Sequence, residues 1–417
     1  MVGYVFLFGG FLIMNLIDVS DAVFKAINRD QIVKLTRDLI RAGPITGLEE
    51  EAANILADFF WDAGIDVWLD EALPGRPNVV ARVSGVKEQG DSGVGAPSFL
   101  FHTHIDVVPV ENSEEWDFPP FEGVLKDNRI YGRGACDDLG TVAAAAVALK
   151  ALSQVEEVLE NCAVYFVGVV DEEKFNQGVR HLLKTPWFKY IESCVVSEPT
   201  ALKIVMAHKG NCWLRLQTRG KAAHASFPER GINAILMMMK LLNRIKEMKF
   251  DYEPHQFLGP PTINVGTIRG GVKINVVPAF CSTEVDIRIP PSLTSENVIE
   301  NISENIEALK TEDPSFNADI EPLSLNPPFE ISENEDLVQA LIDASSFVLG
   351  KMPEVGGISF FTEAGIINNE TKVPCVVFGP TGEPHALNES VSVEELEKIA
   401  KILSLTAIKK LSKRKEL

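Results

Sequence analysis

The sequence predicts an α/β layer with a mostly parallel central sheet, interrupted by an inserted α+β plait. Three observations carry this. Short apolar runs alternate with helical stretches up to about residue 208. Beyond Lys209 the runs switch to a half-exposed alternation, in the order β-α-β-β-α-β of a ferredoxin-like plait. After Asn326-Pro327-Pro328 the first style returns. The expected division is 18–208 and 326–417 for the two parts of one α/β domain, with 209–325 as the insertion.

The elements follow in order. Residues 30–43 have a helical pattern that Gly43-Pro44 ends. Thr46-Gly-Leu-Glu49 has the spacing of a capping box and would open a second helix running to Trp61. Strands are expected at 78–83, 98–104, 162–170 and 193–197, because these are short apolar runs of the kind buried in a parallel sheet. Between them, the alanine-rich 138–152 suits a helix pressed closely on that sheet. In the insertion, strands are expected at 213–218, 262–267, 273–277, 281–289 and 318–323, with helices at 231–247 and 295–309. A helix at 336–349, a strand at 373–379 and a helix from Val393 complete the α/β part.

The bulk properties narrow the function. The chain has 417 residues, 46% of them hydrophobic and 24% charged, which is a globular balance long enough for two domains. Its formal net charge of -20 argues against nucleic acid and anionic membranes as partners. Six cysteines are scattered without a C-x-x-C pair, as expected for free thiols in a reducing cytoplasm. Residues 1–17 carry no charge. They are shorter than the roughly 20 apolar residues of a spanning helix and lack the basic start of a signal peptide. A weak anchor, or a true start at Met14, would account for them, and they are set aside from the fold.

The chemistry gathers where apolar runs end. The run 163–170 is followed by Asp171-Glu172-Glu173, and three adjacent carboxylates repel one another unless a cation is near. His104 and Asp106 follow another run, Asp137 lies in a Gly-bounded turn, Glu198 follows a third run and His385 follows the last. Ligands of open α/β sheets collect at the carboxyl ends of strands. A lone strand-end histidine is usually structural and a lone aspartate in a glycine turn is usually a cap. Five strand ends that each deliver a His, Asp or Glu are harder to assign that way. Two imidazoles with several carboxylates suit zinc or another divalent ion, and there are enough ligands for two ions bridged by a carboxylate. Of the adjacent Glu172 and Glu173, one can bind a cation and the other can take the proton of an attacking water. The implied chemistry is hydrolysis.

The strings HIDVVP, YGRGACDDLG, DEE, SEPT, GKAAHASFPERGINAI and EPHALNES together resemble the two-zinc aminoacylase and carboxypeptidase family, in order over nearly the whole chain. That family includes acetylornithine deacetylase, succinyl-diaminopimelate desuccinylase and glutamate carboxypeptidase. The resemblance implies a zinc-peptidase-like catalytic domain, with the insertion as a lid and homodimerisation domain. It implies two divalent ions, Zn2+ or alternatively Co2+. It makes Asp137 the bridging ligand, His104 and Glu198 ligands of one ion, and Glu173 and His385 ligands of the other. Asp106 would orient His104, Glu172 would be the general base, and His224 would stabilise the oxyanion, often across a dimer. Asn275 and Arg288 would contact substrate, Arg288 by gripping a carboxylate. A surface-loop role for His224 and an interdomain salt bridge for Arg288 are the plain alternatives. The implied substrate is an N-acyl amino acid or short peptide. A dipeptidase or carboxypeptidase on the same scaffold is the alternative, and Glu198, typical of the family's deacylases and carboxypeptidases, leans mildly against the dipeptidase. A non-catalytic relative would be expected to have lost the base or a ligand, and neither is missing. The chain departs from the family at Gly356-Gly-Ile-Ser-Phe360, where many members have Gly-Thr-Ser-Asp-Ala, and at Asp138, read as a helix N-cap. His102, His181, His208 and His255 are read as structural.

Overall fold

A computed structural model describes residues 16–85, 96–159 and 162–412. The apolar extension read at 1–17 therefore lies outside the described residues, apart from its last two. These begin a helix, Leu16–Ala26. Two compact units are present. One comprises the described residues of Met1–Met206, Ile331–Gly356 and Thr362–Leu417, and the other comprises Ala207–Glu330 and Gly357–Phe361.

The first unit is built on a mixed sheet. Its centre is parallel, with Ala163–Val169, Ser98–His104, Ile191–Val196 and Cys375–Val377 side by side. Antiparallel strands flank this centre: Arg76–Ser84 and then Asp66–Leu73 on one side, Ile204–His208 on the other. Every residue of Ser98–His104 and Ala163–Val169 is buried, which explains why their sequences are apolar runs rather than alternations. The helix Leu139–Leu152 is buried at every position but Lys150. It lies between the sheet and two outer helices, Arg29–Ala42 and Val393–Ser412, and its alanines permit that close approach on all sides. Strand Asp66–Leu73 escaped the sequence reading because it is half-exposed and carries Asp66, Asp70 and Glu71.

The capping box expected at Thr46–Glu49 does not form. The helix Glu50–Asp62 starts after Glu49, whose side chain makes no cap. Thr46 instead donates its hydroxyl to Asp106 (2.8 Å), and Glu49 accepts from Arg76 (2.8 Å). A buried carboxylate gains more from a guanidinium than from a backbone N–H, so the cap is left to the chain itself.

The second unit is an antiparallel sheet in the order Thr262–Gly270, Phe280–Ile289, Gly210–Arg219, Ala318–Asn326. Helices Ala234–Glu247 and Ser295–Glu312 pack on it around Leu214, Leu216, Met238, Ile287 and Ile302. Both helix starts are capped by side chains, the first by Asn233 and the second by a Thr294–Asn297 capping box. The strand expected at 273–277 is a loop joining two strands of the sheet. Its one ladder contact is a bridge between Val276 and His224, and Ile274 is fully exposed. An apolar run without a neighbour to pair with cannot continue a sheet.

Candidate metal centre

The carboxyl ends of the parallel strands converge on one cluster in the first unit. His104 is the last residue of its strand, Glu198 stands two residues beyond Ile191–Val196, and Glu172 and Glu173 follow the turn after Ala163–Val169. Asp137 comes from the turn before the alanine-rich helix, and His385 from the loop before Ser390–Ser392.

Asp137 faces both imidazoles. One oxygen lies 3.1 Å from His104 Nε2 and the other 3.4 Å from His385 Nε2. His385 Nε2 is also 3.0 Å from Glu173 Oε1. Two ligand groups result, His104–Asp137–Glu198 and Asp137–Glu173–His385, each with donor atoms within 4.8 Å of one another. A tetrahedral ion with bonds of about 2.1 Å spaces its ligand atoms roughly 3.4 Å apart, so the observed contacts approach the needed spacing.

Electrostatics supports the same fit. Burial pushes Glu198 well above its ordinary value, and the charges of Glu172 and Asp137 add to that. Glu172 keeps part of its surface open, yet burial pushes its carboxyl well up, against the opposing pull of His104, and the charges of Glu173, Glu363 and Asp106 add to the rise. Burial alone would raise Asp137, but hydrogen bonds from His104 and His385 outweigh it and hold that carboxyl below its usual range. His385 is raised to about 10 by its bonds to Asp137 and Glu173. Without a cation, protons on the imidazoles and carboxyls must balance this negative charge. A divalent ion in each group would take their place.

Neighbouring residues hold the cluster. The Nδ1–H of His104 donates to the Asp106 carbonyl (3.0 Å), which turns Nε2 toward Asp137. The Asp106 carboxylate accepts the backbone N–H groups of Glu172 (3.0 Å) and Glu173 (3.2 Å) as well as the Thr46 hydroxyl. Asp171, the first of the three adjacent carboxylates, turns away to Arg76 (3.0 Å). The cation that the sequence demanded is thus partly an arginine from a distant strand.

Asp138 sits at the N-cap place of its helix, but its carboxylate makes no cap and accepts the Ser197 hydroxyl instead. Burial pushes its carboxyl up to about 7. His102 is not mere packing. Its Nε2 lies 2.5 Å from Glu363, and both residues are buried. Sequence reasoning missed Glu363, which stands just after the segment where an acidic residue was judged absent. The charge of Glu363 adds to the field that raises Glu172. A lone glutamate in the otherwise uncharged run Phe361-Thr-Glu-Ala was the available signal. The other histidines have ordinary partners: His181 with Asp70, His255 with Glu330, and His208 packed on Phe329.

The second unit holds the remaining predicted residues. His224 is exposed, and its Nδ1 accepts the Ser226 N–H (3.1 Å), leaving Nε2 as the protonated donor. Asn275 adjoins it, since Ala225 N–H donates to the Asn275 carbonyl (3.1 Å). Arg288 lies on the strand Phe280–Ile289, with its Nε 3.0 Å from Asp286.

Residues 100–409 match the family model described as peptidase family M20/M25/M40. The chain belongs to this family. It is thus a metallopeptidase-type amide hydrolase by kinship. Among relatives of this M20 member, a succinyl-diaminopimelate desuccinylase of Roseobacter denitrificans is 30% identical over 390 residues, which is 89% of this chain and 96% of the relative. An acetylornithine deacetylase of Klebsiella pneumoniae is 29% identical over 368 residues, 85% and 90% of the two chains. An M20 family metallo-carboxypeptidase from Sulfolobus solfataricus has the same fold, with a TM-score of 0.74 at 20% identity over 92% of this chain and 99% of the other.

Proposed function

We propose that this enzyme cleaves the amide bond of an N-acyl amino acid, as its relatives named acetylornithine deacetylase and succinyl-diaminopimelate desuccinylase do. The carrying observation is Asp137, shared between two three-residue ligand groups with Glu172 beside them. In this reading His104, Asp137 and Glu198 hold one divalent ion and Asp137, Glu173 and His385 hold a second, with zinc first and cobalt as a substitute. The ions, when bound, polarise the scissile carbonyl and make a water acidic. Glu172 accepts the proton of the attacking water and hands it to the leaving nitrogen. Asp106 fixes the loop of that base through the two backbone N–H groups it accepts. His224 supplies an Nε2–H to the oxyanion. Arg288 grips a substrate carboxylate, and Asn275 contacts substrate beside His224.

The division of labour follows the units. We read 18–208 and 326–417 as the catalytic domain, and 209–325 as an inserted lid that also dimerises. Leu236 and Met239 on one helix, Val265 and Ile268 on the edge strand, and Val272 and Ile274 beyond it are exposed apolar side chains that favour a homodimer contact. No helix of the described residues is long and apolar enough to cross a membrane. The six cysteines are free and buried, which favours a cytoplasmic setting.

The test is a substrate panel. N-acetylornithine, N-succinyl-diaminopimelate, other N-acyl amino acids and dipeptides are incubated with purified protein before and after chelation, then with Zn2+ or Co2+ restored. The expected result is metal-dependent release of the free amino acid from an acylated substrate. Turnover of dipeptides or C-terminal peptide bonds alone would replace this reading with the peptidase one, and chelator-resistant turnover would remove it.

A further inference from the structure

The ligands rest on very different supports. His104 ends a central strand, and Glu198 lies just past another, so the sheet itself places them. His385 sits in an irregular loop with a left-handed φ of 62°, and its side chain is 52% exposed. Packing does little to fix that ring. Something else must hold its backbone at a set distance from Asp137.

Two buried side chains do so. Arg133 and Glu389 are both buried and form an ion pair of 2.7 Å. One Glu389 oxygen also accepts the Gly134 N–H (3.1 Å). The other accepts the N–H groups of Cys136 (3.0 Å) and of Asp137 itself (3.2 Å). The guanidinium reaches the opposite way, with Nη2 toward the His385 carbonyl (3.3 Å) and Nη1 toward the Ala386 carbonyl (3.4 Å). Trp116 lies against the guanidinium, its ring centre 5.3 Å away. Gly134, with a φ of 84°, lets the turn pass where a side chain would strike Val107 and Leu139.

We propose that Arg133 and Glu389 are positioning residues, a clamp that ties the Asp137 turn to the His385 loop and so sets the subsite of one metal ion. This rests on the two-metal reading above. A buried ion pair gives little net stability over an apolar pair, because desolvation offsets the attraction. What this pair supplies is direction. Its donors and acceptors end on the backbone of two ligands of the same ion. Asp137 serves both subsites, but the Arg133 hooks end on the His385 loop alone, so losing them acts on the Asp137–Glu173–His385 subsite more than on the one that holds His104 and Glu198.

The experiment titrates Co2+ alone into chelator-treated full-length chain and follows the heat. Wild type is expected to bind two ions. Arg133→Lys keeps the charge beside Glu389 but replaces the fork with a single point, so the hooks on the His385 and Ala386 carbonyls are lost. One binding step is expected to weaken about 10- to 100-fold. The other step, and the melting temperature of the metal-free chain, are expected to stay at their wild-type values. Glu389→Gln, which also loosens the shared Asp137 turn, should weaken that step more than the other; should it prove insoluble, Arg133→Lys carries the test. Glu173→Gln identifies which step belongs to the His385 subsite, and adding Arg133→Lys to it should cause little further loss. Equal weakening of both steps overturns the proposal. So does no change in either, or a lower melting temperature with both steps intact. A wild-type chain that binds fewer than two ions overturns the two-metal reading as well, which separates the two failures.

Discussion

Asp137 must satisfy two histidines at once, and its neighbours pay opposite electrostatic consequences. It is held ionised by hydrogen bonds from both imidazoles, while Glu172 and Glu198 are driven toward their protonated forms by burial. A raised carboxyl is the stronger proton acceptor that a general base requires. Glu172→Gln should therefore lower turnover by about 100- to 10,000-fold while leaving Co2+ uptake intact. Wild-type rates in that variant would end the base assignment. The raised His385 gives a second expectation. Its imidazole is protonated below about 10 in the metal-free chain, and an ion needs the neutral ring. Protons and metal compete, so Co2+ binding should release protons at pH 7 and weaken as the pH falls. Calorimetry in two buffers of different ionisation enthalpy measures that release, and an uptake of protons would contradict it.

Elements place these residues by packing that single side chains cannot supply. The helix Leu139–Leu152 can press on the sheet because nearly every position is small or apolar. Gly140 is a tight point in it. A Cβ there would come within 2.4 Å of the Ala135 carbonyl, in the same turn that carries Asp137. Backbone cannot yield as a flexible side chain does, so Gly140→Ala should cost about 1–3 kcal/mol in urea unfolding. An unchanged midpoint would mean that the turn relaxes freely. The alternation of apolar runs made this helix and the central strands legible. It hid Asp66–Leu73, whose charged edge reads as loop, and it invented a strand at 273–277, where Ile274 is exposed and Val276 makes a lone bridge to His224.

At the scale of the molecule, the acidic surface and the exposed apolar ridge of the second unit bear on association. Sedimentation of the intact chain should give a mass near that of a dimer, and charged substitutions at Leu236 and Met239 should shift it toward the monomer. A monomer at micromolar concentration in the unaltered chain would remove the dimer and, with it, any His224 contribution across one.

The sequence by itself determined the layer order, the insertion and which acidic and imidazole side chains stand at the strand ends, because hydrophobic period and strand-end polar residues are local properties of the chain. Tertiary structure decided the partnerships. Only the folded chain brings Arg76 to Asp171, Thr46 to Asp106, Glu363 to His102 and Arg133 to Glu389. Each pair joins residues at least 60 positions apart, the Thr46–Asp106 pair being the nearest in sequence. Buried charge forces such pairings, and no window of sequence contains both halves.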